Sequence, residues 1–276
     1  MAILALVSMG IWALAGGGQS ITALKWLQAI QSVAIFILPP ILCALLWYKK
    51  DWKQSLGLSA QRSYSDSGPT TKWSYSAAIL LMLIAFPGIS LLAVWNNAIT
   101  FPPFLADLEA SLRAMEEQAL ELTEGFVKAP NMEVLVANLF VIAILPAFGE
   151  ELTFRGLLFT FFDKKKVAVW VGAIIFSAAH MQFFGFIPRM LLGALFGYVY
   201  LWSGSLWLPI IMHATNNAFA VIMYNAFDWA GLDPALADTF GSGDTLWVGL
   251  LSLALTAVGI YFFRKQLVHP CSGKPQ

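Results

Sequence analysis

The stretch PAFGEELTFRGLLF, residues 146–159, decides the fold and lies within a long apolar run. It places Glu150, Glu151 and Arg155 within six consecutive residues. A charged side chain at the centre of a bilayer costs at least about 2.5–3.5 kcal/mol on insertion scales, so such residues usually face the bundle interior and serve function. The stretch therefore predicts a shielded functional site inside a membrane-spanning helix.

The composition supports a membrane protein. Hydrophobic residues make up 59% of the chain and charged residues only 12%, whereas a soluble domain carries about 25% charged residues. The formal net charge is zero, which gives no reason to expect a nucleic-acid partner. The two cysteines, Cys43 and Cys271, lie far apart, one in an apolar run and one in the tail, which argues against a structural disulfide.

Eight apolar runs are candidates for spanning helices, each of which needs about 20 mostly apolar residues. They are 2–16, 29–48, 75–95, 131–162, 167–184, 187–203, 206–226 and 245–263. The first is short and ends in Ala-Leu-Ala, which is also typical of a signal-peptidase site, so a retained span and a signal peptide both stay open. The sequence predicts an all-α, polytopic membrane protein of about eight transmembrane helices.

Basic residues indicate the orientation of these helices. They cluster in residues 49–74, at 164–166 and in the C-terminal tail, while residues 228–244 contain four aspartates and no lysine or arginine. With eight spans, all three basic clusters fall on one side, which the positive-inside rule assigns to the cytoplasm. We expect an integral protein of the plasma (inner) membrane with both termini in the cytoplasm, and with residues 97–130 and 227–244 outside.

The segment 101–128 has a different pattern, with apolar residues at alternating spacings of three and four. These spacings predict one apolar stripe on an amphipathic helix, formed by Leu105, Leu108, Leu112, Met115, Ala119, Leu122 and Phe126. The other face is mostly acidic, which argues against attachment to anionic lipid. A helix on the outer rim of the bundle and a lid or substrate gate both fit this pattern.

Spacing relates the ionisable residues to one another. Glu151 and Arg155 are four residues apart, which favours an ion pair on one helix face, whereas Glu150 points about 100° away. His213 and Asn217 are also four residues apart and should project into one cavity. We therefore expect Arg155 to neutralise Glu151 and to leave Glu150 available for chemistry.

Depth connects the separate segments. Glu150 lies fifteen residues before Lys165 and His180 lies fifteen after it. If the lysines form the turn of an antiparallel hairpin, a rise of about 1.5 Å per residue brings both side chains to one level. His213 and Asn217 follow the turn at residues 203–205 and reach a similar depth with modest tilt. The sequence predicts one layer that contains all four side chains.

This set of side chains suits amide hydrolysis. A shielded glutamate beside a histidine can activate water, and a second histidine with an asparagine can donate hydrogen bonds to a developing oxyanion. Glu150, His180 and His213 could also bind zinc, since sites with two histidines and one glutamate exist. The residues leave the cofactor open between none and zinc, and we prefer the metal-free reading.

Three motifs occur in order: EELTFR at 150–155, FSAAH at 176–180 and HATNN at 213–217. Their pattern resembles the CPBP intramembrane proteases, which include CAAX-processing Ras-converting endopeptidases and proteins linked to bacteriocin immunity. The resemblance implies that Glu150 and His180 activate water and that His213 and Asn217 stabilise the oxyanion. It also implies that Glu151 and Arg155 shape the site.

The leading hypothesis is an intramembrane endopeptidase whose partners are the bilayer and a membrane-associated peptide or protein, lipidated substrates included. A non-catalytic binding or immunity protein of the same fold is the alternative, and a proton-coupled transporter is a third. We expect N-terminal helices and the amphipathic helix at 1–130, a catalytic core at 131–226, and a last helix with its tail at 227–276.

Overall fold

A computed structural model describes residues 20–59 and 70–268. The regular elements named within these residues are all helical, which confirms the all-α prediction. The run 2–16, with its two alternative readings, lies outside the described residues.

Nine helical elements follow one another along the described chain. The first four are α1 (Ile21–Ser55), α2 (Lys72–Asn97), α3 (Ala106–Val127) and α4 (Met132–Phe161). The remainder are α5 (Lys165–Ala178), α6 (Phe186–Ser203), α7 (Trp207–Trp229), the short α8 (Ala235–Thr239) and α9 (Leu246–Leu267). The helix α1 contains a π-helical turn at Ser32–Ile37 and bends at Lys49, where φ is 50°.

Five helical segments of the described chain are long and apolar enough to cross a membrane. They are α1, α2, α4, the stretch Phe183–Ser203 that contains α6, and the stretch Gly243–Leu267 that contains α9. These segments confirm a polytopic membrane protein, but the predicted number of eight spans is not confirmed. The helix α5 has only 14 residues, and α7 carries a histidine and two asparagines within its first half.

The helix α4 is irregular where it carries the predicted site. A π-helical turn at Leu139–Ile144 precedes Pro146, and a second π-helical turn at Leu152–Leu157 follows the two glutamates. Proline lacks the backbone N–H that a regular helix uses, and π-helical turns often accompany functional sites. The segment with the glutamates thus lies between two places where the regular hydrogen-bond ladder changes.

Close packing against α1 fixes the depth of this segment. A Cβ atom on Gly149 would lie 2.9 Å from Cβ of Phe36, so only glycine permits this approach of the two helices. Thr153 Oγ1 also donates a hydrogen bond to the Phe36 carbonyl at 2.9 Å. Both contacts involve the π-helical turn of α1, and they hold Glu150 at a defined position along the bundle.

The helix α5 ends earlier than the sequence predicts. It stops at Ala178 instead of 184, so His180 lies in a loop before the 3₁₀ turn Phe183–Gly185. The end of a helix leaves carbonyl groups without helical partners; one side chain bonds such a carbonyl here, and another joins the end of α5 to the start of α6. His180 Nδ1 lies 2.8 Å from the Phe176 carbonyl, and Ser177 Oγ donates to the Phe186 carbonyl at 2.7 Å. These local bonds stabilise a loop that apolar periodicity alone does not reveal.

Packed apolar residues flank the site residues in sequence. Leu152, which follows Glu151, belongs to one buried apolar cluster, and Met212, which precedes His213, belongs to another. Both are fully buried, and burial of such a side chain stabilises by about 1.5–3 kcal/mol. The core therefore restrains α4 and α7 next to the polar side chains.

The helix α3 is the predicted amphipathic outer helix. None of its residues is fully buried. Six residues of the predicted stripe are half-buried, whereas Leu108 is exposed. Its packed side also includes the half-buried residues Glu109, Arg113 and Glu116, so part of the face expected to be solvated contacts the protein instead.

Candidate active site

Glu151 lies at the centre of a buried ion-pair network. Its Oε1 atom accepts a hydrogen bond from Arg155 Nη1 at 2.7 Å and lies 2.9 Å from His213 Nδ1. The side chains of Glu151 and Arg155 are 0% and 2% exposed. The predicted pair between residues four apart is confirmed, and it joins α4 to α7 through the histidine.

The Arg155 guanidinium makes further contacts that sequence reasoning did not foresee. Its Nη2 atom donates to the Gly193 carbonyl at 2.7 Å, and its central carbon lies 5.1 Å from the Phe176 ring and 5.6 Å from the Phe196 ring. A Cβ on Gly193 would lie 3.2 Å from Cα of Ala173, so glycine permits the close approach of α5 and α6. The arginine thus contacts two further helices, α5 and α6, in addition to its own ion pair within α4.

Glu150 has different surroundings from Glu151. Its side chain is only 3% exposed, and among the described residues its Oε2 atom has no hydrogen-bond partner. The closest basic group that the structure pairs with it is His213 Nε2, at 3.9 Å from Oε2. This distance exceeds that of a direct hydrogen bond, so Glu150 keeps an oxygen available in a buried place.

The two carboxylates fix the orientation of His213. Since an ionised carboxylate only accepts hydrogen bonds, Nδ1 of His213 carries the proton that it shares with Glu151. The ring stacks on Phe196 with centroids 5.2 Å apart and meets Phe176 edge-on at 5.6 Å. These contacts direct Nε2 toward Glu150.

His180 reaches this group through an aromatic neighbour. The centroids of its ring and of the Phe176 ring are 5.0 Å apart, so Phe176 contacts both histidines. The Phe176 carbonyl can only accept, so Nδ1 of His180 is the donor and Nε2 is left as the acceptor of the neutral ring. The structure therefore assigns a tautomer in which Nε2 could accept a proton.

Asn217 is half-buried one helical turn after His213. Its Oδ1 atom accepts a hydrogen bond from Asn216 Nδ2 at 3.3 Å. Of the predicted residues, Glu150, Glu151, Arg155 and His213 form one contact group, His180 approaches it through Phe176, and Asn217 follows on the same helix. Of the four side chains predicted to share one layer, Glu150, His213 and His180 are thus connected, while Asn217 contacts a neighbour on its own helix.

The donor atoms do not fit a zinc site. Within residues 20–59 and 70–268, no three His, Cys, Asp or Glu side chains converge on a common point. This includes Glu150, His180 and His213, the three residues that the sequence offered as possible zinc ligands. A bound zinc ion requires its ligands within about 2.0–2.2 Å, so this arrangement supports no step through the metal.

Arg189 is a site neighbour that sequence reasoning missed. It lies in the first turn of α6 and donates from Nη1 and Nη2 to the carbonyl and side chain of Gln182, two residues after His180. A signal for it existed, because an arginine within the apolar run 187–203 meets the same criterion that singled out Arg155. Phe196, by contrast, is one of many aromatic residues and carried no distinguishing signal.

Comparison with known proteins agrees with the motifs. Residues 132–219 match the model of a family described as type II CAAX prenyl endopeptidase Rce1-like. The six predicted site residues all lie within the matched segment. The segment is Rce1-like. This match confirms the resemblance drawn from the three motifs.

Two curated relatives match parts of the chain. The uncharacterized protein YpbD of Bacillus subtilis (strain 168) is 30% identical over 87 residues, which are 30% of this chain and 43% of the relative. The membrane-embedded CAAX protease MroQ of Staphylococcus aureus (strain USA300) is 32% identical over 111 residues, which are 34% of this chain and 44% of the relative. The chain thus spans less than half the length of these relatives. No solved structure gives a significant match.

Proposed function

We propose that this protein is an intramembrane endopeptidase that hydrolyses a peptide bond of a membrane-associated protein or peptide. The observation that carries the proposal is the contrast between two adjacent glutamates. Each glutamate has a buried Oε2 without a hydrogen-bond partner among the described residues, but Glu151 is bound through Oε1 by Arg155 and His213, while Glu150 Oε2 faces His213 Nε2 at 3.9 Å. The Rce1-like match of residues 132–219 supports the same activity.

Glu150 is proposed to be the general base. A water molecule beside Glu150 and His213 could lie about 2.8 Å from both facing atoms, because these are 3.9 Å apart. The carboxylate would take one proton from this water while the oxygen forms a bond to the substrate carbonyl carbon. The same proton would then pass to the leaving nitrogen as the C–N bond breaks, which restores the carboxylate.

His180 is proposed to assist in orienting the water. Its Nδ1–H is used by the Phe176 carbonyl, so the lone pair on Nε2 can accept the second O–H of the water. The edge-on contact with Phe176 restrains the ring. A fixed acceptor on a second helix would limit the water to orientations that are productive for attack.

His213 and Asn217 are proposed to stabilise the oxyanion. With protons on both ring nitrogens, His213 can donate from Nε2 while its Nδ1–H stays on Glu151. The amide of Asn217 supplies further donors one helical turn away. Donors fixed before the reaction act mainly on the transition state, and the buried ion pair Glu151–Arg155 would hold His213 in position.

The substrate is proposed to be membrane-associated, with lipidated peptides included. The matched family is named for a prenyl endopeptidase and one relative for a CAAX protease. The candidate site lies among helices of a membrane bundle, so a peptide held at the bilayer would reach it without leaving the apolar phase. A lipid chain would raise the concentration of substrate at that surface.

The test is peptide cleavage by the full chain, purified and reconstituted in lipid nanodiscs. Mass spectrometry of a panel of farnesylated and unmodified membrane peptides would report cleavage products. We expect the wild type to cleave at least one peptide, and Glu150→Gln to abolish cleavage while it keeps the melting profile. Glu117→Gln, on the exposed side of α3, is the matched control and should keep full activity.

Two outcomes would contradict this proposal. Full turnover by Glu150→Gln, together with a folded but inactive Glu151→Gln variant, would reverse the roles of the two glutamates. Tight peptide binding by the wild type without any product would favour the non-catalytic binding or immunity function instead.

A further inference from the structure

The loop that carries His180 is held at its start by backbone hydrogen bonds from residues 179–181 to carbonyls of α5. It connects Ala178, the last residue of α5, to Phe186, the first residue of α6. Met181 within it has φ 56°, a left-handed conformation that a side chain rarely adopts without support from its surroundings. The contacts of His180 with α5 hold one end of the loop, and the course of residues 182–185 depends also on what contacts them from outside.

Two charged side chains of α3 contact this loop. Glu116 Oε2 accepts a hydrogen bond from the Phe184 backbone N–H at 3.3 Å. The Arg113 guanidinium lies 3.9 Å from the centroid of the Phe184 ring, a cation–π contact that is worth more when partly buried. Because Arg113 and Glu116 are three residues apart, they share one face of the helix, and this face is directed at the loop.

Arg113 also attaches α3 to the end of α2. It pairs with Glu109 at 2.8 Å and donates to the Ile99 carbonyl at 3.1 Å. Glu109 in turn accepts the Phe101 backbone N–H at 2.7 Å. The charged face of α3 is thus fixed to the bundle on one side and contacts the His180 loop on the other.

Arg189 of α6 also holds this loop. Its guanidinium donates to the Gln182 carbonyl at 3.2 Å and to Gln182 Oε1 at 3.0 Å. Burial raises the pKa of Glu116, while the Phe184 N–H and the charges of Arg189 and Arg113 oppose this rise. The loop therefore lies between a carboxylate on α3 and a guanidinium on α6 that attract each other.

We infer that Glu116 and Arg113 of α3 are positioning residues that hold His180 in place for the reaction. The inference rests on the proposed function, because it gives His180 a role in water activation. It also gives the outer helix α3 a role in the site beyond lying on the outer rim of the bundle, because α3 makes a specific contact with the His180 loop. Neither side chain touches the reacting atoms, so neither is a catalytic residue.

The contact has a kinetic consequence. If Glu116 is removed, the loop samples positions in which His180 Nε2 no longer faces the water. Misplacement of a catalytic group by about 1 Å can cost about 10²-fold in rate, so a partly released loop should lower kcat by about tenfold or more. The KM should change little, because the peptide-binding surface of the bundle is intact.

Hydrogen exchange of the full chain in nanodiscs tests the contact without reference to activity. In Glu116→Ala, the peptide covering residues 179–185 should exchange about tenfold faster, because the Phe184 N–H loses its acceptor. Glu116→Gln keeps an acceptor oxygen and should exchange more slowly than Glu116→Ala. Glu117→Ala, one position along on the exposed side, is the control and should behave as the wild type.

Activity measured on the same samples completes the test. We expect kcat to fall about tenfold in Glu116→Ala with KM unchanged, and Glu116→Gln to recover part of this loss. Equal exchange in Glu116→Ala and Glu117→Ala would overturn the contact, and faster exchange with unchanged kcat would overturn the positioning role. If exchange rises in Glu116→Ala and the wild type cleaves no peptide, the proposed function fails while the contact is supported.

Discussion

Two glutamate–arginine pairs of this chain share one sequence spacing and differ in their surroundings. Glu109 and Arg113 lie on the outer helix α3, with side chains 16% and 40% exposed. Glu151 and Arg155 lie in α4, with side chains 0% and 2% exposed. The N–O distances are nearly equal, 2.8 Å and 2.7 Å. The comparison teaches that local spacing forms both pairs, while burial decides what each contributes.

The buried pair should give the largest effect on stability. Arg155→Ala removes the guanidinium partner of Glu151 and leaves this buried carboxylate with His213 alone, and breaking a buried ion pair typically costs about 3–5 kcal/mol. Denaturant unfolding in detergent micelles would measure the change. The matched variant Arg113→Ala makes the same truncation on the outer helix.

If Arg155→Ala lowers the free energy of unfolding by less than Arg113→Ala does, burial does not decide what each ion pair contributes to stability. Arg155→Met would sharpen the result, because it fills most of the volume and removes the charge together with the hydrogen bonds to Glu151 and Gly193. It should be about as destabilising as Arg155→Ala if the unpaired carboxylate is the cause.

The next largest effect is expected on turnover. Asn217→Ala should lower kcat by about 10²–10³-fold, the cost of removing one oxyanion donor, and should change KM much less because the donor acts on the transition state. Steady-state kinetics on the best peptide from the panel would show this split. Asn216→Ala removes the hydrogen bond to Asn217 Oδ1 but keeps the Asn217 amide, and should therefore lower kcat much less.

A rise in KM with unchanged kcat would mean that Asn217 binds substrate equally in the ground and transition states. Metal analysis of the active protein belongs to the same experiment. Stoichiometric zinc that is lost together with activity on His213→Ala would replace the metal-free mechanism and make the histidines ligands.

The exposed pair should give a smaller effect on stability. Partly exposed ion pairs contribute little to the free energy of unfolding. Arg113→Ala should therefore lower the melting temperature by no more than about 2–4 °C. Differential scanning fluorimetry in nanodiscs would measure it. The fall should exceed that of a substitution at the exposed Glu117, since Arg113 also contacts the Phe184 ring and the end of α2. No difference between the two variants would mean that these contacts are not formed.

The smallest effect concerns pH. The Phe101 N–H and the Arg113 guanidinium hold the pKa of Glu109 below its usual 4.5. A lowered pKa gives stability that is fully present above the ordinary value and is lost as pH falls through the lowered one. The attachment of α3 should therefore weaken only below about pH 4.5. Exchange of residues 101–113 between pH 6 and pH 3.5 would test this, and Glu109→Gln should remove the pH dependence.

Sequence reasoning succeeded where the relevant contacts are local. The Glu151–Arg155 pair and the outer helix α3 are confirmed because helical periodicity alone brings residues three or four apart together. It was wrong about the end of α5, since the early stop at Ala178 depends on side-chain bonds to nearby carbonyls. The eight spans, the orientation, the domain boundaries and the site roles stay predictions.

By itself, then, the sequence determined the membrane class, the buried ion pair and the Rce1-like segment, because composition, periodicity and motif spacing are properties of the linear chain. Only the tertiary structure decided which glutamate is bound by His213, 62 residues away. It alone placed Glu116 on the loop of His180, through a contact with Phe184 across 68 residues. Such contacts depend on how closely helices approach, which glycines such as Gly149 and Gly193 permit and which no local pattern encodes.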